Sequence, residues 1–235
     1  MPSTRPSVLI TGIADGLGKS LARIFAAAGY DVIGLSRSDR ATPQIRAQVD
    51  EVGGTYTHLF CDLTDPTAAA AALQPHADRV MVLVHNAQTL LIKPGSKTSI
   101  EEFEAIWRVA CLGAMVAARS VLPAMTARGE GALIFSGATA ALRAGGDFAA
   151  FASAKFALRG MAQALSRECG PKGIHIAHVV LDGLIDAPQT DRRFGPARAT
   201  RMDPEAVAQA YLDLAQQSRT AWTHELDLRP FDERF

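Results

Sequence analysis

Three glycines, Gly12, Gly16 and Gly18, end the short apolar run Val8-Leu9-Ile10-Thr11 and lead into a helix-forming segment. Each has a chemical use at this spacing. Gly12 can take the backbone angles of a tight turn. Gly16 leaves the main chain open to a phosphate, and Gly18 lets a helix lie close to the preceding strand. A helix beginning at Leu17 would point free N–H groups and the positive end of its dipole at that gap. A tight strand-to-helix turn also needs glycine for structural reasons alone, so the triplet by itself leaves both readings open. The next apolar run ends in Ser36-Arg37. A dinucleotide site that prefers an unphosphorylated ribose usually has Asp or Glu there. Ser36 takes that place here, and Arg37, assisted by Arg40, offers a cation suited to a 2′-phosphate. Asp15 would oppose it if the carboxylate points that way, and a solvated surface arginine is the plainer reading of Arg37. The balance favours NADP, with NAD as the alternative.

Such residues need strands and helices in alternation, and the sequence supplies them. Apolar runs over 31–36, 55–61, 80–85, 132–136 and 174–180 have the length of buried strands. A helix is expected over 17–28, and another over 42–52 that stops at Gly53-Gly54. The alanine-rich 66–73 is helical. Ser99 and Glu102 form a capping box that opens a long helix over 100–127, which Pro123 should kink or shorten. A second long helix covers 148–169, a last one starts at Asp203-Pro204, and 222–228 alternates like a closing strand. Seven strands separated by helices predict an α/β fold: one doubly wound Rossmann-like domain over 1–235, mainly parallel, with helices on both faces.

The gross composition narrows the function classes. A chain of 235 residues, 48% hydrophobic and 20% charged, can bury a substantial core. Lys plus Arg and Asp plus Glu are equal at 24 each. That balance gives no electrostatic reason to expect a nucleic acid or an anionic membrane as partner. The first residues lack an apolar signal core, and no run is expected to reach the length of a membrane span. Cys61, Cys111 and Cys169 lie far apart without metal-ligand spacing, which reads as reduced interior thiols and no metal. The expectation is a cytoplasmic globular protein.

The motifs together resemble the short-chain dehydrogenase/reductase family over nearly the whole chain. The run from Thr11 to Gly18 matches that family's TGxxxGxG cofactor motif. The resemblance implies that Asp62, followed by Leu63, bonds the adenine amine. It implies that Asn86 and Ala87, from the NNAG motif, form the floor under the cofactor, with His85 and Gln88 departing from that motif. It also makes Lys155 the lysine of the catalytic helix, bonded to the nicotinamide ribose. Gly183 is the one match to the PGxxxT run after the sixth strand, where Asp182 brings a carboxylate or serves as a turn or capping residue. Family members commonly form dimers or tetramers, which implies a homodimer or homotetramer here, and they carry a substrate lid, here about 184–201.

The same resemblance implies hydride transfer between NADP(H) and a small-molecule carbonyl or alcohol, and it exposes a departure. The family's usual Asn, Ser, Tyr and Lys become Ala110, Ala138, Phe151 and Lys155. Phenylalanine has no proton to give, and general acid–base help is typically worth ~10² to 10⁴ in rate. Lys155 itself, Ser136, Thr139, Ser153 and Arg143 are nearby polar groups. His85 is a further candidate, with an imidazole packed beneath the sheet as its plainer role. Two functions therefore stand. One is an oxidoreductase with a non-standard active site. The other is a catalytically impaired NADP(H)-binding protein that acts as a sensor or an oligomer partner.

Overall fold

A computed structural model describes residues 5–196 and 200–233. Strand β1 (Ser7–Thr11), helix α1 (Leu17–Ala27) and β2 (Asp31–Ser36) form the first βαβ unit. Helix α2 (Thr42–Glu51), β3 (Tyr56–Phe60), α3 (Pro66–Leu73) and β4 (Val80–His85) complete the first half. Then follow α4 (Ile100–Trp107), α5 (Gly113–Arg128), β5 (Gly131–Ser136), α6 (Ala149–Cys169) and β6 (Ile174–Leu181). The chain closes with α7 (Pro188–Phe194), α8 (Pro204–Ala215) and β7 (Glu225–Leu228).

The seven strands form one sheet in the order β3-β2-β1-β4-β5-β6-β7, every pairing parallel. Successive side chains of a strand face opposite sides, so each central strand feeds two cores. Val8 and Ile10 pack with α1 and α8 on one face, through Leu21, Phe25 and Tyr211. Leu9 and Leu83 pack with α5 and α6 on the other, through Val121, Met125 and Leu158. The order reverses between β1 and β4, which is where a doubly wound sheet leaves a crevice at its carboxyl edge.

Local chemistry explains most boundaries. Ser99 accepts from the Glu102 N–H, and Glu102 accepts from the Ser99 N–H, so the expected capping box starts α4. Asp203 caps α8 by accepting from the Glu205 N–H. The closing strand is shorter than expected. The Thr223 N–H is taken by Gln217 and Trp222 stacks on His175 at 5.0 Å, so pairing begins only at Glu225.

The helix expected over 100–127 is continuous but irregular, and the irregularity is not at Pro123. Arg108–Leu112 forms a π-helical turn, while Pro123 sits inside α5, which runs on to Arg128. Pro123 and Arg119 lie on the exposed face, where water can serve the carbonyl that proline leaves without a donor. The stretch Ile100–Arg128 is also long and apolar enough to cross a bilayer, contrary to the expectation that no run reaches that length. Its alanines and valines supply one of the two cores, including Ala114, Ala117, Ala118 and Val121.

Candidate functional site

The carboxyl ends of β1, β2, β4, β5 and β6 open onto one cavity of about 1510 Å³. Its nucleotide half is built largely from backbone. Gly12 has φ +71°, and a Cβ there would lie 2.4 Å from the Ala87 Cα, so the turn after β1 and the loop after β4 touch through a missing side chain. Helix α1 begins at Gly16 with no side-chain cap and no acidic residue in its first turn. Its first N–H groups therefore have no side-chain acceptor, which suits an anionic group of the kind a dinucleotide brings. Gly18 packs against Ile13, whose Cα would be 3.1 Å from an added Cβ. Gly12 and Gly18 thus each have a structural reason of their own at this turn.

Of the residues singled out for the cofactor, Gly12, Asp15, Leu17, Gly18, Ser36 and Arg37 line this half. Asp62, Leu63, Asn86, Ala87 and Gly183 line the cavity as well. Gly16 does not. The space its side chain would fill is taken by the Ala187 Cβ and the Gln189 Nε2, each 2.9 Å from an added Cβ. Gln189 also donates to the Asp15 carbonyl at 2.8 Å, so the start of α7 is fastened to the glycine turn. Nothing in the sequence marks this contact, because the two residues are 174 positions apart.

At the end of β2 the Ser36 hydroxyl is committed to the Ser38 carbonyl at 2.7 Å. The exposed Arg37 lies 3.8 Å from Asp62, and Arg40 and Ser38 line the same corner. Lys19 stands 3.8 Å from Asp15 and offsets its charge. Partial burial works against ionising Asp62, but hydrogen bonds from Thr64 and the Arg37 and Arg108 guanidiniums outweigh it and hold the carboxyl below its usual range. Gly183 has a packing role too, since an added Cβ would meet the Pro230 Cδ at 2.7 Å.

The other half is built from side chains, and it departs from the expectation for Lys155. Ala138 and Phe151 line the wall, whereas Ala110 and Lys155 do not reach it. Lys155 is buried, 1% exposed, with its Nζ donating to the Ser136 carbonyl at 2.8 Å and 5.6 Å from the Phe151 ring centre. Burial pulls its pKa down to about 7. The lysine thus faces a strand end and not the cavity.

The other polar groups sort themselves by position. His85 is fully buried, with Nδ1 2.8 Å from the Thr11 hydroxyl and Nε2 3.1 Å from the Ala110 carbonyl. A carbonyl only accepts, so Nε2 carries the proton and Nδ1 accepts from Thr11. Burial pushes this imidazole down to about 3, so it is a neutral strut between β1 and the π-helical turn. The Ser136 hydroxyl accepts from the buried Tyr211 hydroxyl at 2.9 Å, and Ser153 donates to the Ala149 carbonyl at 2.7 Å. Neither serine lines the cavity.

Thr139, Arg143 and Asp182 do line it. Asp182 is buried and caps no helix. Its Oδ1 accepts from the Thr139 hydroxyl, and its Oδ2 lies 3.4 Å from Arg143 and 3.5 Å from Arg229. Opposite, the expected lid contains α7, tied down by Arg201 through Asp191 at 2.7 Å and the Gly195 carbonyl at 2.6 Å. Arg193 donates across to the Leu90 carbonyl at 3.0 Å. Residues 197–199 of that stretch lie outside the described ones. No local sequence pattern marks the apolar lining from Leu90, Ile92 and Phe148, since these residues sit in loops.

A profile described as short chain dehydrogenase matches residues 6–194. A crystal structure of a short-chain dehydrogenase from Rhodopseudomonas palustris is 34% identical. It superposes with a TM-score of 0.83 over 96% of this chain and 99% of that one. A metagenomic short-chain oxidoreductase solved in complex with NADP has a TM-score of 0.85 at 23% identity, covering 96% of this chain and 97% of that one. Cyclopentanol dehydrogenase from Comamonas is 28% identical over 220 residues, 88% of each chain.

Proposed function

The chain belongs to the short-chain dehydrogenase/reductase family of oxidoreductases, and from that premise we propose that it transfers hydride between NADP(H) and a small-molecule carbonyl or alcohol, as a divergent member with Phe151 in the tyrosine position. The observation that carries this reading is the single cavity running from the uncapped start of α1 to the Ala138 and Phe151 wall. A nicotinamide dinucleotide bound there supplies a carbon that accepts or gives hydride. The chain's own residues do the rest. The first turn of α1 receives the pyrophosphate, Asp62 and Leu63 flank the adenine, and Asn86 with Ala87 forms the floor. Arg37 and Arg40 favour a 2′-phosphate, and the NADP in the metagenomic relative agrees with that preference. Leu90, Ile92 and Phe148 give the reacting end an apolar lining and suit an apolar substrate body.

Fluorescence titration with NADPH and NADH, followed by turnover of a panel of alcohols and ketones including cyclopentanol, tests this reading. Saturable binding with NADPH tighter than NADH, and oxidation of at least one alcohol, is expected. Absence of binding by either nucleotide would overturn it.

A second reading has its own support. Ala110, Ala138 and Phe151 carry no proton, and Lys155 is turned to Ser136, which fits a catalytically impaired NADP(H) binder. Tight binding without turnover anywhere in the panel would favour it. Under either reading we propose a cytoplasmic homodimer or homotetramer without nucleic-acid or membrane partners. The exposed Ile100, Phe103 and Trp107 share one face of α4, and Phe156 is exposed on the α6 helix packed beside it. Light scattering on the purified protein reads that state directly.

A further inference from the structure

This inference rests on the proposed oxidoreductase reading and deepens it. Three of the tetrad positions, Ala110, Ala138 and Phe151, have no acidic proton, and Lys155 is turned to the Ser136 carbonyl and does not line the cavity, so an active enzyme needs a proton carrier elsewhere on the same wall. Among the described residues, most hydroxyls near the reacting end are committed elsewhere. Ser136 is buried behind the wall against Tyr211, Ser153 bonds its own helix, and Thr190 donates to the Ile185 carbonyl at 2.7 Å. Thr139, one residue beyond Ala138, lines the cavity and donates to a carboxylate rather than to a backbone carbonyl.

That carboxylate is Asp182, at the end of the strand next to the one that leads into Thr139, with its side chain 2% exposed. Burial of an ion is costly unless it is paired. The pairing divides the carboxylate by oxygen. Arg143 and Arg229 face Oδ2, while Oδ1 is left to the Thr139 hydroxyl. A hydroxyl that donates inward to a carboxylate keeps its lone pairs for a donor in the cavity, as the O–H of an alcohol would be.

We propose that Thr139 and Asp182 form the proton path of this site in place of the absent tyrosine. Thr139 is the catalytic residue and touches the substrate oxygen; Asp182 acts through it as the positioning and proton-accepting residue. In alcohol oxidation the substrate O–H proton passes to the Thr139 Oγ1 as the Thr139 proton passes to the Asp182 Oδ1. Bound oxidised NADP would take the C–H electron pair as hydride as the C=O bond forms. Asp182 then releases its proton to solvent, and reduction follows the same path in reverse. Arg143, beside Asp182 and lining the same cavity, is placed to steady negative charge as it develops on the oxygen.

The test uses cyclopentanol as probe and reads two quantities. In the cofactor-free protein, infrared difference spectra on adding cyclopentanol are expected to show a perturbed carboxylate band that is absent in Asp182→Asn. The band should be lost in Thr139→Val and restored in Thr139→Ser. With NADP present, Thr139→Val should lower kcat for alcohol oxidation by about 10²-fold, at the low end of the usual acid–base contribution, with Thr139→Ser recovering most of it. Thr139→Val is nearly isosteric, so it remains informative if Asp182→Asn fails to fold. A Thr139→Val protein with an unchanged band and unchanged turnover would overturn the proton path while leaving the oxidoreductase reading intact. Loss of NADPH binding in the unaltered protein would instead defeat the oxidoreductase reading itself.

Discussion

The two halves of the cavity are made of different material. The nucleotide half is shaped by backbone: Gly12 against Ala87, an uncapped α1, and a turn closed by Gln189 on a carbonyl. The reacting half is shaped by side chains: Phe151, Ala138, Thr139, Arg143 and Asp182. Backbone geometry survives most substitutions provided the glycines remain. Side-chain chemistry turns on single atoms: under the proposed reading, the phenyl of Phe151 lacks the one oxygen that a phenol would bring. A fold can therefore keep its ligand cradle while its proton chemistry is rebuilt nearby.

The comparison can be broken most severely at Gly12. Gly12→Val puts a β-branched residue at φ +71° and a Cβ 2.4 Å from backbone, which strain and overpacking together make a loss of roughly 4–6 kcal/mol. Urea denaturation, or failure to recover folded protein, checks this. A tolerated valine would mean that the cradle does not depend on that close approach.

The next largest effect should come from Lys155→Met, with the opposite sign. Unfolded, the lysine titrates near its ordinary 10.5; folded, burial holds it at about 7. Between those values the unfolded chain binds the extra proton, so this group's contribution to stability rises with pH across that window. Below it both states are protonated and the burial penalty is constant. Lys155→Met should therefore stabilise the protein by roughly 3–5 kcal/mol at pH 6, with the gain gone by about pH 10.5. Denaturation midpoints across that range measure it, and a destabilised variant at pH 6 would show that the ammonium is held by more than the Ser136 carbonyl.

Third, Phe151→Tyr with Ala138→Ser should restore the lost hydroxyls and raise kcat by about 10²-fold. Steady-state kinetics decide it. No gain, with Thr139→Val still harmful, would show that the rebuilt path has displaced the old one. The smallest effect is expected at the other end. Arg37→Glu should weaken NADPH about tenfold, or ~1.4 kcal/mol, and leave NADH nearly unchanged, because only the 2′-phosphate loses a cation. Equal weakening of both in a fluorescence titration would place Arg37 elsewhere than at the ribose.

Much of this is legible in the amino-acid sequence. The alternation of short apolar runs with helical segments predicts the seven strands, because strand burial on both faces leaves a continuous apolar run. The glycine turn, the Ser99 capping box and the Asp203 cap are local signals with local causes. The boundaries that shifted did so for tertiary reasons: Gln217 and His175 shorten the last strand, and His85 props the π-helical turn at Ala110. That Ala110, Ala138 and Phe151 carry no acid–base group is visible by position alone. What would serve instead is not, since Thr139 and Asp182 are separate polar residues in the sequence and 43 positions apart.

The amino-acid order by itself determined the doubly wound sheet, the phosphate-ready start of α1 and the absence of a phenol at position 151, since all three follow from neighbours within a few residues. Only the tertiary structure decided which polar groups face the cavity. Lys155 and His85 were removed from it by burial against carbonyls, and Thr139, Arg143 and Asp182 were brought to it by the parallel pairing of β5 with β6. The reason is physical. Turn and helix signals act over one turn of chain, whereas the meeting of a hydroxyl with a buried carboxylate depends on strand register, which is set by the packing of the whole sheet.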